Sequence, residues 1–233
     1  MEKTIRINRY LAERGETTRR GADELIKAGR VTINGRVAKL GEQIKASDRV
    51  VIQNSSPSKT HNLIPKTYFY FAYHKPRGEP TRERYSINGQ SRLAGGQALF
   101  PIGRLDRDSR GLLILTNDGR LTKKLLTPTS GREKEYEVRV DKPLKSPVLK
   151  ALARGVWLEG KSGRGRTRPA AAEILDRYTF KIILTEGRRH QIRRMLAALG
   201  YQVRDLCRVR VGSIKLAGLA AGQSRPLRPE ELI

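Results

Sequence analysis

The chain has 233 residues, with 48 lysines and arginines against 23 aspartates and glutamates, so its formal net charge is +25. No apolar run approaches the roughly 18 residues of a membrane span. A single cysteine, Cys207, excludes a disulfide framework and a zinc site built from several thiolates. The charge predicts a polyanionic partner, and nucleic acid is the first candidate because lysine and arginine neutralise phosphates.

Residues 1–53 are predicted to form a small unit of two short helices followed by a hairpin-rich sheet. Apolar residues at helical spacing over 7–11 predict the first helix, and a second is expected over 17–29, between a threonine cap and a glycine. Asn34-Gly35 after an alternating strand predicts a tight hairpin, and a last strand is expected at 50–52.

The polar segment 54–65 is predicted to be a linker, because it contains proline and serine and lacks hydrophobic periodicity. The remainder, 66–233, is predicted to mix strands and helices. The expected strands are 68–73, 112–115, 135–140, 171–175, 180–184 and 203–211, and the expected helices are 120–126, 147–154 and 190–199. Because these strands occur in groups, the fold class is predicted to be α+β with a mainly antiparallel sheet. The long polar loop 76–98 is expected to be functional or mobile.

Several common enzyme motifs are absent from the sequence. It has no phosphate-binding GxxxxGK[ST] loop and no HExxH, and its three histidines are scattered singly. The sequence therefore predicts no nucleotide, metal or other cofactor.

The segment GRLDRDSRGLL at 103–113 is the most unusual one in the chain. Asp106 lies between Arg104 and Arg107, which can bind phosphates, directly before an apolar strand. Such an acidic residue either acts on a polyanionic substrate or makes ordinary ion pairs in a surface turn. Asp108 is the rival carboxylate, although the close spacing of the two does not guarantee a glycosidase-like pair.

Tyr136 lies in KEYEVRV at 134–140, where strand alternation places it on the same face as Val138. It either stacks on an unpaired base, as aromatic side chains do in RNA-binding proteins, or is an ordinary core tyrosine.

The segment EGRRHQIRRM at 186–195 carries four arginines around the predicted start of a helix. Arg188 and Arg189 precede or open that helix, where phosphate binding is favoured. Arg193 adjoins the apolar stripe, and a half-buried arginine favours a bidentate carboxylate partner. The alternative is a solvated basic face.

These segments resemble the three motifs of the RsuA/RluB/RluE/RluF family of RNA pseudouridine synthases, and residues 1–53 resemble an S4 RNA-binding domain. FPIGRLDRDS at 100–109 and EKEYEVRVDKP at 133–143 are most similar to the RluF branch, which modifies large-subunit ribosomal RNA. Two departures are visible. TTRR at 17–20 replaces a frequent CSRR, and Arg189-His190 replaces Asn-Arg in the frequent EGRNRQIRRM.

The resemblance implies a catalytic set of three residues. Asp106 matches the catalytic aspartate, Tyr136 the tyrosine that stacks on the target base, and Arg193 the basic residue that pairs with the aspartate. The implied reaction is an isomerisation of uridine that needs no metal, nucleotide or redox cofactor. Whether Asp106 acts as a nucleophile at C1′ or as a base at the ribose 2′ position stays open.

The predicted function is therefore the conversion of a uridine in large-subunit ribosomal RNA to pseudouridine. The arginines predicted to contact RNA are Arg19, Arg20, Arg30, Arg104, Arg107, Arg188, Arg189 and Arg208. The alternatives are a synthase acting on small-subunit or transfer RNA, a non-catalytic RNA-binding protein of ribosome assembly, and a peripheral membrane binder. The expected partner is ribosomal RNA or an assembling subunit, and the protein is expected to be a cytoplasmic monomer because no signal peptide, membrane or interface pattern is visible.

Overall fold

A computed structural model describes residues 4–14, 16–17, 19–53, 68–82, 85, 99–126, 132–160 and 164–232 of the chain. The chain divides into two compact units, Met1–Thr67 and Tyr68–Ile233. The predicted linker 54–65 and most of the predicted loop 76–98 lie outside the described residues. Among the described residues, no helix is both long enough and apolar enough to cross a membrane.

The described residues of the first unit form two helices and two small sheets. Its elements are β1 (Ile5–Arg6), α1 (Ile7–Glu13), α2 (Arg19–Lys27), β2 (Val31–Ile33), β3 (Arg36–Val37), β4 (Gln43–Ile44) and β5 (Val50–Ile52). Strands β3, β2 and β5 form one antiparallel sheet, and β1 pairs with β4. Asn34 and Gly35 have φ values of +50° and +86°, as a two-residue hairpin turn requires. Ile7, Ile26 and Ile33 belong to the buried core.

The second unit carries the larger sheet. Its strands are β6 (Tyr70–Lys75), β7 (Phe100–Ile102), β8 (Arg110–Thr116), β9 (Lys134–Val140), β10 (Trp157–Leu158), β11 (Gly165–Arg166), β12 (Ala171–Ile174), β13 (Thr179–Leu184), β14 (Val203–Val211), β15 (Ile214–Lys215) and β16 (Ser224–Pro226). Its helices are α3 (Gly119–Leu126), α4 (Ser146–Arg154) and α5 (Gln191–Ala198), followed by a terminal 3-10 turn (Pro229–Leu232).

The strand order of the large sheet is β12-β13-β9-β14-β8-β6-β16, with β7 attached to β8 and β15 to β14. Within the described part of the chain, all of these neighbours pair antiparallel except β14 and β8, which run parallel. The predicted α+β class with a mainly antiparallel sheet is confirmed. The parallel pair lies near the middle of the sheet, and the turn that carries Asp106 leads directly into β8.

Helix α5 covers the β9–β13 half of the sheet. Ile192, Met195 and Leu196 are buried against Val138 of β9 and Phe180 of β13 in one hydrophobic cluster. The apolar stripe predicted for this helix is therefore its packing face. Because α5 is fixed by this stripe, the residues at its start are held against the β14–β8 junction.

Candidate active site

Asp106 lies on a closed turn immediately before β8. The Ser109 amide donates a hydrogen bond to the Asp106 carbonyl at 3.0 Å. Leu105 is buried, and the Thr81 hydroxyl both accepts from its amide at 3.0 Å and donates to its carbonyl at 2.7 Å. The Asp106 side chain itself is 39% exposed. The anchored main chain thus leaves the Asp106 carboxylate accessible to solvent, and Arg104, Arg107 and Asp108 are exposed around it.

A buried lysine fixes this turn to the end of β6. Lys75 is fully buried, and its Nζ donates to the carbonyls of Pro76 at 2.9 Å, Glu79 at 2.6 Å and Arg107 at 3.4 Å. Burial lowers the pKa of the Lys75 ammonium, and the nearby carboxylates oppose that shift. Sequence reasoning did not select Lys75, because a lysine before a proline and a glycine is typical of any exposed loop.

His190 contacts the Asp106 side chain. It directly precedes α5 in a left-handed conformation, with φ 51° and ψ 32°. Its Nε2 lies 3.3 Å from Oδ1 of Asp106, which makes an ion pair when the imidazole is protonated. In the sequence, His190 stands out only as a departure from the family pattern. The signal that could have identified it is its position in the same motif as Arg193.

Arg193 holds the main chain of the Asp106 turn and does not pair with the carboxylate. Its guanidinium donates to the Asp108 carbonyl at 3.0 Å, to Oγ of Ser109 at 3.4 Å and to the Val203 carbonyl at 3.3 Å. It is half-buried, as predicted. The expected contact between Arg193 and Asp106 is absent from this structure, and His190 occupies that place.

Tyr136 lies in the same row of the sheet as the start of β8. In the strand register it is opposite Arg208, which is itself paired with Gly111. Two strand spacings of about 4.8 Å put the Tyr136 backbone roughly 10 Å from Gly111. Opposite residues share a face, and the Arg208 side chain reaches the Arg104 carbonyl at 3.4 Å, so Tyr136 faces the side of the Asp106 turn. Its half-buried ring packs against the cluster under α5.

Two of the arginines predicted to contact RNA also make hydrogen bonds within the protein. Arg208 is 4% exposed, and its Nε donates to the Leu112 carbonyl at 2.8 Å. Arg188 donates to the Gly165 carbonyl at 3.1 Å, the Arg166 carbonyl at 2.6 Å and the Glu186 carboxylate at 3.3 Å. Both guanidinium groups therefore donate to protein acceptors with part of their N–H groups, and RNA contact by these two arginines stays a prediction.

The other predicted arginines keep accessible positions. Arg30 is half-buried, with its Nε donating to the Gln53 carbonyl at 3.1 Å. Those with exposed side chains are Arg19, Arg20, Arg104, Arg107 and Arg189. Of these, the last three lie on the segments that surround Asp106.

Residues of β8 and β14 next to the Asp106 turn make structural contacts. Arg110 forms a bidentate pair with Asp205, with NH2 at 2.8 Å from Oδ2, and this contact raises the pKa of Arg110. Cys207 is buried, and desolvation raises the pKa of its thiol to about 11. The thiol is therefore protonated and inert at neutral pH, as expected for a buried cysteine.

The two units match two known families. Residues 5–50 match the S4 domain, and residues 69–198 match the RNA pseudouridylate synthase family, a segment that includes Asp106, Tyr136, His190 and Arg193. The chain belongs to the RNA pseudouridylate synthase family. RNA is accordingly the partner of this synthase.

Similar proteins cover nearly all of this pseudouridine synthase. The dual-specificity RNA pseudouridine synthase RluF of Escherichia coli is 35% identical over 100% of this chain and 78% of its own length. The ribosomal large subunit pseudouridine synthase B of Bacillus subtilis is 35% identical over 97% and 93% of the two chains. The ribosomal small subunit pseudouridine synthase A of Pasteurella multocida is 35% identical over 98% of each.

A crystal structure of a pseudouridylate synthase agrees with these similarities. It superposes with a TM-score of 0.68 at 32% sequence identity and covers 98% of both chains. Because the large-subunit and small-subunit relatives are equally identical to this synthase, overall identity does not distinguish the two RNA classes.

Proposed function

We propose that this synthase converts a uridine of large-subunit ribosomal RNA to pseudouridine, with Asp106 as the catalytic carboxylate. The observation that carries the proposal is the Asp106 side chain itself, which is accessible, fixed on an anchored turn and contacted by His190. A carboxylate among exposed arginines is unfavourable toward a polyanion unless it takes part in the reaction. The resemblance of 100–109 and 133–143 to the RluF branch supports the choice of the large subunit.

The exposed arginines around the turn bind the phosphates that flank the target. A uridine inside a folded stem is out of reach, so the enzyme extrudes it at a cost of a few kcal/mol. Contacts from Arg104, Arg107 and Arg189 offset that cost, since phosphate neutralisation supplies much of the affinity for nucleic acid. The S4 unit adds Arg19 and Arg20 as a second basic surface for structured RNA.

The chemical step breaks the N1–C1′ bond of uridine and joins C5 to C1′. Asp106 either attacks C1′, forming an ester bond that breaks when C5 joins C1′, or removes the 2′ proton and returns it at that step. Each route frees the uracil to rotate. Tyr136, in the same row of the sheet as the start of β8, supports the detached base. After the new bond forms, the C5 proton leaves to Tyr136 or to water, and N1 gains a proton. Atoms balance without any added reactant.

His190 and Arg193 are positioning residues in this proposal. Arg193 holds the carbonyl of Asp108 and the hydroxyl of Ser109, which fixes the main chain of the turn. His190 holds the carboxylate of Asp106 itself. Placement errors near 1 Å cost about 10²-fold in rate, so both contacts are expected to affect turnover more than RNA affinity.

Replacing His190 tests this division of roles. We expect His190→Phe to lower the rate of pseudouridine formation at saturating RNA by about 10-fold. The phenyl ring keeps an aromatic side chain at this position but has no nitrogen to contact Asp106. His190→Arg, which restores the residue frequent in the family motif, should recover most of that rate. Single-turnover rates and RNA dissociation constants for the three proteins separate the effects. Equal rates in all three would contradict the assigned role.

RNA affinity should depend strongly on salt. Roughly five phosphate contacts, at about 0.7 per contact for single strands, predict a slope of log K against log salt of about −3.5. Filter binding between low and moderate salt measures it. Arg104→Ala and Arg19→Ala should each make the slope shallower by about one contact, and an affinity independent of salt would contradict the phosphate-binding role.

The RNA class is tested by mapping pseudouridine in separate transcripts of large-subunit, small-subunit and transfer RNA. Modification of a large-subunit transcript supports the proposal, and modification of another RNA class would assign that class as the substrate instead.

We further propose that a single copy acts in the cytoplasm on an assembling subunit. Asp106, Tyr136, His190 and Arg193 all come from one chain, so one copy completes the site.

A further inference from the structure

The hairpin formed by β10 and β11 presents an aromatic side chain that the proposed mechanism does not use. Trp157 is the one tryptophan of the chain, and it is 53% exposed. Its neighbour Leu158 is buried in the cluster under α5, so the two faces of this short strand differ sharply. A large exposed aromatic residue on a fixed hairpin leaves apolar area in water unless a partner covers it.

Arginines flank the exposed tryptophan. The guanidinium carbon of Arg164 lies over one face of the Trp157 ring, 6.0 Å from its centroid, so a base would stack on the other face. Arg166 is exposed and directly opposite Trp157 in the strand register, so the two side chains share a face. The indole N–H donates to the Glu159 carboxylate at 3.3 Å, a contact at the ring edge that leaves stacking area on the ring. This combination favours a planar ligand attached to anionic groups.

The hairpin is fastened to the helix start that contacts Asp106. Arg188 donates to the carbonyls of Gly165 and Arg166 at 3.1 and 2.6 Å, and Arg194 donates to the Glu159 carbonyl at 2.8 Å. These two arginines flank His190 in the sequence. These hydrogen bonds hold the Trp157 strand beside the segment that carries His190.

We propose that Trp157, with Arg164 and Arg166, is a stacking site for an unpaired base of the RNA substrate, outside the pocket of the target uridine. This proposal rests on the proposed function. The indole supplies the π-face and the arginines bind the adjoining phosphates, which is how proteins hold single-stranded nucleic acid without reading its sequence. An acidic or apolar protein segment is the competing occupant, and flanking arginines favour the nucleic acid.

Trp157 can report on its own binding site, since the 233-residue chain contains no other tryptophan. We expect a short oligouridylate to quench its fluorescence, and an abasic ribose-phosphate strand of the same length and charge to leave it nearly unchanged. Trp157→Ala should weaken oligouridylate binding by about 5- to 100-fold, the range that base stacking supplies. Its affinity for the abasic strand should stay at the wild-type value. Trp157→Phe should recover most of the lost affinity.

Ile174→Ala is the matched control, because Ile174 is also exposed and apolar but lies on β12, away from the hairpin. It should bind both strands as the wild type does. Unchanged oligouridylate affinity in Trp157→Ala, or quenching by the abasic strand alone, would overturn the stacking site. Pseudouridine formation by the wild type in the same preparation keeps the two proposals apart, since its absence would reject the proposed function instead.

Discussion

Asp106→Asn is expected to abolish pseudouridine formation, with a loss of at least about 10³-fold. The amide matches the carboxylate in shape, and Leu105, Ser109 and Thr81 still hold the turn, so the fold and the phosphate contacts persist. What disappears is the charged oxygen that attacks C1′ or removes the 2′ proton. Nucleoside analysis of treated RNA measures the product, and filter binding measures the affinity, which should stay within a few-fold of the wild type.

Asp108→Asn is the control for this experiment. Asp108 belongs to the same turn, and its side chain is exposed, but its contact with Arg193 is made by the main-chain carbonyl. Its substitution leaves that hydrogen bond in place, so turnover should persist. Turnover by Asp106→Asn would contradict the catalytic role of Asp106. If turnover is lost in Asp108→Asn alone, Asp108 is the catalytic carboxylate.

Gly111→Ala is expected to be the most destabilising of the glycine substitutions around the site. Gly111 has φ +108°, and an added Cβ would lie 2.6 Å from the main-chain nitrogen of Arg208 and overlap its carbonyl. The positive φ costs alanine about 1–3 kcal/mol. The overlap also forces β8 away from β14, for a total of about 3–5 kcal/mol. Thermal unfolding should show a drop in Tm of about 10 °C.

Because the same pair of strands supports the Asp106 turn, Gly111→Ala should also lower activity below the melting range. Gly119→Ala is the matched control. Gly119 begins α3 without a strained φ, and an added Cβ would have no heavy atom within 4 Å outside its own helix and chain neighbours. Its Tm should remain close to the wild type. If Gly111→Ala is as stable as this control, the close contact between the main chains of β8 and β14 at Gly111 does not restrict the side chain there.

Much of the architecture could be predicted because long elements carry strong periodic signals. The prediction for β14 matches its observed bounds, Val203–Val211, and the prediction for α5 is one residue longer at each end. Short strands such as β10 and β16 were missed, since two or three residues show no periodicity. They form by pairing with a partner distant in sequence or across a turn, which local patterns do not record.

The candidate site was predicted in its motifs but not in its contacts. The patterns of charge located the segments of Asp106, Tyr136 and Arg193. They could not show that Arg193 donates hydrogen bonds to main-chain carbonyls while His190 contacts the Asp106 carboxylate. Both residues lie at the start of one helix, and only the three-dimensional structure shows which of them reaches the carboxylate. The buried roles of Arg208 and Lys75 were equally invisible, since buried cations satisfied by carbonyls leave no sequence pattern.

Tritium release from RNA labelled at uridine C5 tests most directly whether this protein forms pseudouridine. The reaction replaces the hydrogen on C5 by a bond to C1′, so the label is released as the product forms. The wild type should release tritium from a ribosomal RNA transcript or an assembling subunit, in proportion to the pseudouridine formed, and Asp106→Asn should release none. If the wild type binds these RNAs tightly and releases no tritium from any of them, the protein is an RNA-binding protein without this activity.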